Sequence, residues 1–208
     1  MIVRSDNMAV KLVKTEVVSF GDIILPTGAY KQNMLWADVV SIGEGNRGYY
    51  SHSLWPTHVR RGDRILFPQG SVRGAFRDVI IDQQHYEEIL FVQERDAKLY
   101  LRDSEIYPLY DTLIGKKIEE ETYDILSSGL YVPRNTGEDD SKNYCKVTIE
   151  KVGFGYVNDK GITTPCSSKP GYVAYINKWD LWEYQIGTDL KDTYVVMDED
   201  DILCVTEG

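Results

Sequence analysis

The chain repeats itself. Ile42-Gly43-Glu44-Gly45 returns as Val152-Gly153-Phe154-Gly155. Arg61-Gly62-Asp63-Arg64-Ile65-Leu66-Phe67 returns as Pro170-Gly171-Tyr172-Val173-Ala174-Tyr175-Ile176. Glu88-Ile89-Leu90-Phe91-Val92-Gln93-Glu94-Arg95-Asp96 returns as Thr193-Tyr194-Val195-Val196-Met197-Asp198-Glu199-Asp200-Asp201. Gly43 and Gly153 lie 110 positions apart, Gly62 and Gly171 109, and Asp96 and Asp201 105. A self-match at nearly constant offset marks one structural unit used twice. The unit is about 100 residues long, a common domain size, and its boundary falls near Arg102-Asp103-Ser104.

Within each unit the apolar residues sit in short runs rich in β-branched and aromatic side chains. These are Met8–Val13, Leu35–Ile42, Arg64–Phe67 and Ile89–Val92, then Thr112–Ile118, Cys145–Val152, Tyr172–Ile176 and Tyr194–Met197. Gly, Pro, Asn and Asp punctuate them, and none carries a sustained 3.6-residue stripe. Short strands between frequent turn signals predict an all-β chain of two small barrels or sandwiches, over residues 1–102 and 103–208. Each unit interrupts its strands with a long polar loop, about residues 15–32 and 119–143. Each loop holds an apolar island, Ile23-Ile24-Leu25 in the first and Leu130-Tyr131-Val132 in the second.

Charge narrows the partners. With 33 acidic and 23 basic residues the net charge is −10. That balance argues against nucleic acid, which needs clustered Lys and Arg. No apolar run approaches the roughly 18 residues of a membrane span, and the first residues do not read as a signal peptide. Cys145, Cys166 and Cys204 have neither CxxC spacing nor an even count, so they fit reduced thiols and not a disulfide framework or a zinc site.

The ordered set of features, found twice, resembles the chaperonin-10 family, the GroES-type co-chaperonins that lid a GroEL-type chaperonin. Ile106-Tyr107-Pro108-Leu109-Tyr110-Asp111 is similar to that family's opening strand. The two islands fall where the family carries its mobile-loop tripeptide, and the Val152-Gly153-Phe154-Gly155 turn and the Asp198–Leu203 ending match its equivalents. The resemblance implies two GroES-like β-barrels in tandem and a non-enzymatic chain. It implies docking on a chaperonin through Ile23, Ile24, Leu25, Leu130, Tyr131 and Val132, with enclosure of unfolded client polypeptide. It further implies assembly of the chain into a homo-oligomeric ring, and ATP bound by the partner and not by this chain. The expected location is the cytoplasm, the host's for a viral chain; tandem members occur in chloroplasts, but no transit peptide is evident here. Two departures stand out. Tyr131 takes the middle place where the family has an aliphatic residue, and Leu130 to Gly153 spans 23 positions against 20 from Ile23 to Gly43.

Energetics favour many hooks over one. Burying three large aliphatic side chains gains roughly 5–8 kcal/mol gross. Ordering about ten loop residues costs roughly 10 kcal/mol. A single loop is therefore a weak ligand, and several on one ring act through effective concentration. The segments Glu44–His58 and Phe154–Pro170, with Tyr49, Tyr50, Trp55 and Tyr156, correspond to the family's roof hairpin.

Other motifs point elsewhere. Gly43-Glu44-Gly45-Asn46-Arg47-Gly48 spells the dinucleotide fingerprint, with Asp63 twenty residues on. The fingerprint needs a helix N-terminus after it, whereas Tyr49–Pro56 has no helical stripe, so those glycines read as turn residues. Asp198–Asp201 lacks the spaced ligands of a calcium loop. His52, His58 and His85 lie far from any Cys in sequence. No catalytic, cofactor or metal site is expected. The alternative function is a structural or assembly protein, a viral one included, that keeps the fold without chaperonin binding. A medium-chain dehydrogenase shares the fold but carries a Rossmann domain for which this chain has no room.

Overall fold

The computed structural model describes residues 3–13, 34–47, 54–55, 57–103, 105–118, 123–125, 131–133, 144–158, 162–178, 180–185 and 193–207. Strands are β1 (Asn7–Leu12), β2 (Met34–Ile42), β3 (Asn46–Arg47), β4 (Leu54–Trp55), β5 (Arg64–Pro68), β6 (Gly74–Ile81), β7 (Gln84–Gln93) and β8 (Leu99–Arg102). After the repeat boundary come β9 (Glu105–Pro108), β10 (Thr112–Lys117), β11 (Tyr123–Ile125), β12 (Tyr131–Pro133), β13 (Tyr144–Val152), β14 (Tyr156–Val157), β15 (Thr163–Thr164), β16 (Val173–Asn177), β17 (Trp182–Gln185), β18 (Thr193–Asp198) and β19 (Ile202–Thr206). Among the described residues there is no α-helix, only single 3-10 turns such as Glu94–Asp96 and Glu199–Asp201. All eight strands expected from sequence form, each within a few residues of its expected bounds.

The first sheet runs β6-β7-β1-β2-β5-β8-β9 and the second β17-β18-β10-β13-β16-β19. Strand for strand these are the same order, with β9 as an addition to the first. All the pairings described are antiparallel. Side chains explain the strands. Along β13 burial alternates over Cys145, Val147 and Ile149, while Lys146 and Thr148 are only partly covered. Such alternation is what an antiparallel sheet with one wet face requires. In β1 Met8 and Val10 join one core with Ala37, Val39, Ile65, Phe67 and Val92. Ala9 points the other way, into a smaller cluster with Val40, Val79, Ile81, Tyr86 and Ile89. β1 is thus buried on both faces, with the second covered by residues of the β6–β7 hairpin. That hairpin turns through Asp82 and Gln83, both at positive φ (49° and 66°), the signature of a two-residue turn whose twist matches the strands.

The repeat is visible bond by bond. Bulges fall between Ala9 and Val10 in β1 and between Ile114 and Gly115 in β10. Ser5 and Tyr110 both take the left-handed region (φ 62° and 50°). Gly43 N–H donates to Asn7 O and Gly153 N–H to Thr112 O, each at 2.9 Å. Gly62 N–H meets Val39 O at 2.9 Å, and Gly171 N–H meets Ile149 O at 2.8 Å.

The chain divides into two compact units, residues 1–112 with 153–166, and residues 113–152 with 167–208. This division does not follow the repeat boundary. Where a linker near Arg102-Asp103-Ser104 is expected, β8 ends at Arg102 and β9 begins at Glu105, and the two strands pair in the register Arg102↔Glu105 to Leu99↔Pro108. Leu109, in the second repeat by sequence, is fully buried in the core of the first unit.

Candidate functional site

Both long loops leave the sheet at the same place and are held by the same bond. In the first unit Val13 N–H donates to Trp36 O at 2.9 Å, just beyond the end of β1. In the second, Ile118 N–H donates to Lys146 O at 2.9 Å, just beyond the end of β10. Each loop therefore springs from a pair of adjacent antiparallel strands, β1–β2 or β10–β13, each of which contributes buried residues to a core. Leu12 and Leu35 pack against that core in the first unit. A loop rooted on a rigid ladder is a common way to present a binding segment.

Of the six hook residues, Ile23, Ile24, Leu25 and Leu130 lie outside the described residues. Tyr131 and Val132 lie in β12, which pairs with β11 in the register Tyr123↔Pro133, Asp124↔Val132 and Ile125↔Tyr131. These two strands form a ladder of their own, separate from the six-stranded sheet. Sequence reading missed β11. Its signal was the short alternation Tyr123-Asp124-Ile125, hidden inside a segment dominated by Glu and Ser.

The expected roof segments contain small hairpins. β3 pairs with β4 (Asn46↔Trp55, Arg47↔Leu54), and β14 pairs with β15 (Tyr156↔Thr164, Val157↔Thr163). Tyr156 and Ile162 are 61% and 59% exposed. Asn158 closes the turn, its side-chain oxygen accepting from Ile162 N–H at 3.0 Å. At the base of this second hairpin Phe154 stacks on His58 (4.1 Å between ring centres, 18° apart) and leans on Tyr110 (4.8 Å).

A carboxylate anchors each copy of this region, buried in the first and half-buried in the second. Glu94 Oε1 accepts from the backbone N–H groups of His58 (2.5 Å) and Val59 (3.2 Å), with His58 Nδ1 at 3.4 Å. Glu199 Oε1, at the matching position, accepts from Ser168 N–H (2.8 Å) and Ser167 Oγ (3.0 Å). A second buried acid, Asp63, holds Arg102 through two bonds of 2.9 and 2.7 Å. That bidentate contact raises the Arg102 pKa further above its already high ordinary value. Burial, reinforced by the charges of Glu94 and Asp6, pushes the Tyr110 phenol well above its ordinary value.

The two glycine pairs are explained by backbone geometry. A Cβ on Gly43 would lie 2.1 Å from Ser5 O, and one on Gly153 would lie 2.1 Å from Tyr110 O. Gly45 and Gly155 sit at φ 111° and 102°. The residues after Gly45 enter strand β3 and not a helix. Among the described residues no group of three or more His, Cys, Asp or Glu is placed to hold a metal. His58 faces Glu94 and His85 faces Asp78 at 3.5 Å, while His52 lies outside the described residues.

Comparison with known proteins agrees with this doubled architecture. The family model for the chaperonin 10 Kd subunit matches the chain twice, over residues 3–97 and 105–206. The chain belongs to the chaperonin-10 family. Its two matches are the two sequence repeats, and together they take in nearly all of the 208 residues. Among relatives, the co-chaperonin GroES of Paracidovorax citrulli is 33% identical over 100 residues, 48% of this chain and 95% of that protein. Co-chaperonin GroES 2 of Bradyrhizobium diazoefficiens is 36% identical over 98 residues, 47% of this chain and 86% of its own. Co-chaperonin GroES of Aquifex aeolicus is 32% identical over 100 residues, 75% of its length. These relatives align with about one half of this chaperonin-10 chain, as single copies of a unit present here in two.

Proposed function

We propose that this tandem chaperonin-10 chain is a co-chaperonin. It caps a GroEL-type chaperonin through Ile23-Ile24-Leu25 and Leu130-Tyr131-Val132 and encloses client polypeptide for folding driven by ATP on the partner. The double family match over residues 3–97 and 105–206 carries this reading. The matched roots of the two loops support it, because each unit presents its loop from the same two strands. Apolar side chains on long polar loops suit a groove on a partner more than the chain's own core.

The chain's own part is mechanical. Each hook offers a few apolar side chains at a large ordering cost, so single contacts are weak and release is fast. Several hooks on one assembly raise the effective concentration enough to hold a lid in place. When the partner's nucleotide state alters the groove, the loss per hook is small but multiplied, so the lid leaves as a whole.

The test mixes the chain with a GroEL-type chaperonin and ADP or ATP and follows co-sedimentation. The intact chain is expected to co-migrate at micromolar concentrations. The doubly altered chain Ile24→Glu, Val132→Glu is expected to stay behind with an unchanged circular dichroism spectrum. Limited proteolysis separates this reading from an assembly protein that shares only the fold. Lid function predicts first cuts near residues 20 and 130 and their protection by the chaperonin. Protease-resistant loops and no co-migration would overturn it.

A further inference from the structure

Matching positions of the two units carry different side chains, and in the apolar filling the differences balance. Val10 becomes Gly115 while Ala37 becomes Val147, whose Cγ1 would lie 2.5 Å from a Cβ on Gly115. Ile65 and Phe67 become the smaller Ala174 and Ile176, while Val39 and Val92 become the larger Ile149 and Met197, all of them buried.

The polar fittings do not balance. Val59, fully buried in the core of the first unit, becomes Ser168, which is only 4% exposed. Ser168 N–H donates to Glu199, but its Oγ is buried with no hydrogen-bond partner among the described residues. A hydroxyl enclosed without a partner carries its full desolvation cost. Asp63 and Arg102, joined by two bonds, become Tyr172 and Glu207. In the first unit Arg102 also donates to His58 O at 3.0 Å, so the clasp ties β8 to the turn before β5. In the second, half-buried Tyr172 reaches exposed Glu207 through one O–H at 3.4 Å. The outer face differs as well. Val40 and Ile89 belong to a second apolar cluster over β1 with Val79, Ile81 and Tyr86. Their counterparts are exposed Glu150 and half-buried Tyr194.

We propose that the second unit is a conformational device, which opens locally under native conditions while the first unit stays folded. The orphaned hydroxyl, the missing clasp and the missing outer cluster all fall on the same side. Segments that open below the cost of global unfolding are those from which proteins draw their moving parts. Here β10 and β13, the root of the second loop, come loose with the unit. This deepens the function proposed above and rests on that reading for its role. The first hook stands on a firm root and the second on one that lets go, so the two are unequal ligands. Each docking of the second hook also re-forms its root and bears that ordering cost.

Hydrogen exchange on the full-length chain, without chaperonin, supplies the test. Amide protection factors are expected to be lower in β10, β13 and β16 than in the matching β1, β2 and β5. Ser168→Val installs the side chain that Val59 has in the first unit. It is expected to slow exchange in β13 and β16 roughly tenfold, the scale of relieving one buried unpaired polar group, and to leave β2 and β5 unchanged. Val59→Ser is expected to speed exchange in β2 and β5 and to leave β13 and β16 unchanged. Equal protection in the two units, lower protection in the first, or either substitution without effect in its own unit overturns the proposal. Docking is read separately by co-sedimentation. Unequal protection without docking removes the lid function and keeps the labile unit; docking with equal protection does the reverse.

Discussion

Gly43 and Gly153 show how a single missing atom sets the geometry on which each unit depends. Their N–H groups bond to Asn7 O and Thr112 O, and this brings the chain so close to Ser5 and Tyr110 that no Cβ fits. The obstruction is backbone oxygen, which cannot rotate away as a side chain would. Gly43→Ala is therefore expected to cost about 3 kcal/mol, the upper range for overpacking, seen as a lowered urea midpoint. Tyr110, the neighbour of the second glycine, gives a pH signature. Its folded-state pKa is raised mainly by burial, so the native state keeps a proton that the unfolded chain releases near pH 10. The stability linked to this group is present below that pH and is lost as pH rises through and beyond it. Tyr110→Phe is expected to be less sensitive than wild type when urea midpoints at pH 9 and pH 11 are compared.

At the scale of elements, the strands legible in the sequence were those with a repeated apolar pattern. Met8–Val13, Leu35–Ile42 and their second copies carry β-branched residues on the buried face and became β1, β2, β10 and β13. Strands such as β6, with exposed Ala75, Phe76, Arg77 and Asp78 before buried Val79 and Ile81, have no clean alternation and were not foreseen. β9 was read as an opening strand of the second repeat, but its pairing with β8 is a matter of topology that no local pattern encodes. The two apolar islands stand out by composition, whereas β11, which pairs with residues of the second, does not, because three residues are too few for a period. The β11–β12 ladder has an energetic consequence. Pairing restrains the backbone of Tyr131–Pro133 before any partner arrives, and each residue so held removes about 1 kcal/mol of ordering cost from docking. Asp124→Pro, which disturbs the ladder opposite Val132, is expected to weaken chaperonin binding roughly tenfold or more while leaving Tyr131 and Val132 in place. A titration of co-sedimentation against chaperonin concentration reads the shift, and unchanged affinity would show that the ladder does not pre-order the hook.

For the molecule as a whole, duplication has made two units that are alike in strand order but not independent in composition. The first unit includes residues 105–112 and 153–166, which sequence assigns to the second repeat. Leu109 is the clearest case, since it is fully buried among Met8, Val39, Phe67 and Val92 although it lies past the boundary. Its counterpart in the first repeat, at the offset of 105, is Arg4, which is exposed, so the two positions are not filled alike. Leu109→Ala removes a buried side chain and is expected to cost 2–5 kcal/mol, the usual range for such a truncation. The loss should fall on the first unit. In hydrogen exchange the amides of β1, β2 and β5 are expected to lose protection, and those of β13 and β16 to keep theirs. If the repeats folded as the sequence divides them, the loss would fall on β10, β13 and β16 instead. A uniform loss in both would mean that the chain opens as one cooperative body. The location of the lost protection thus decides whether the folding unit is the sequence repeat or the compact unit that crosses its boundary.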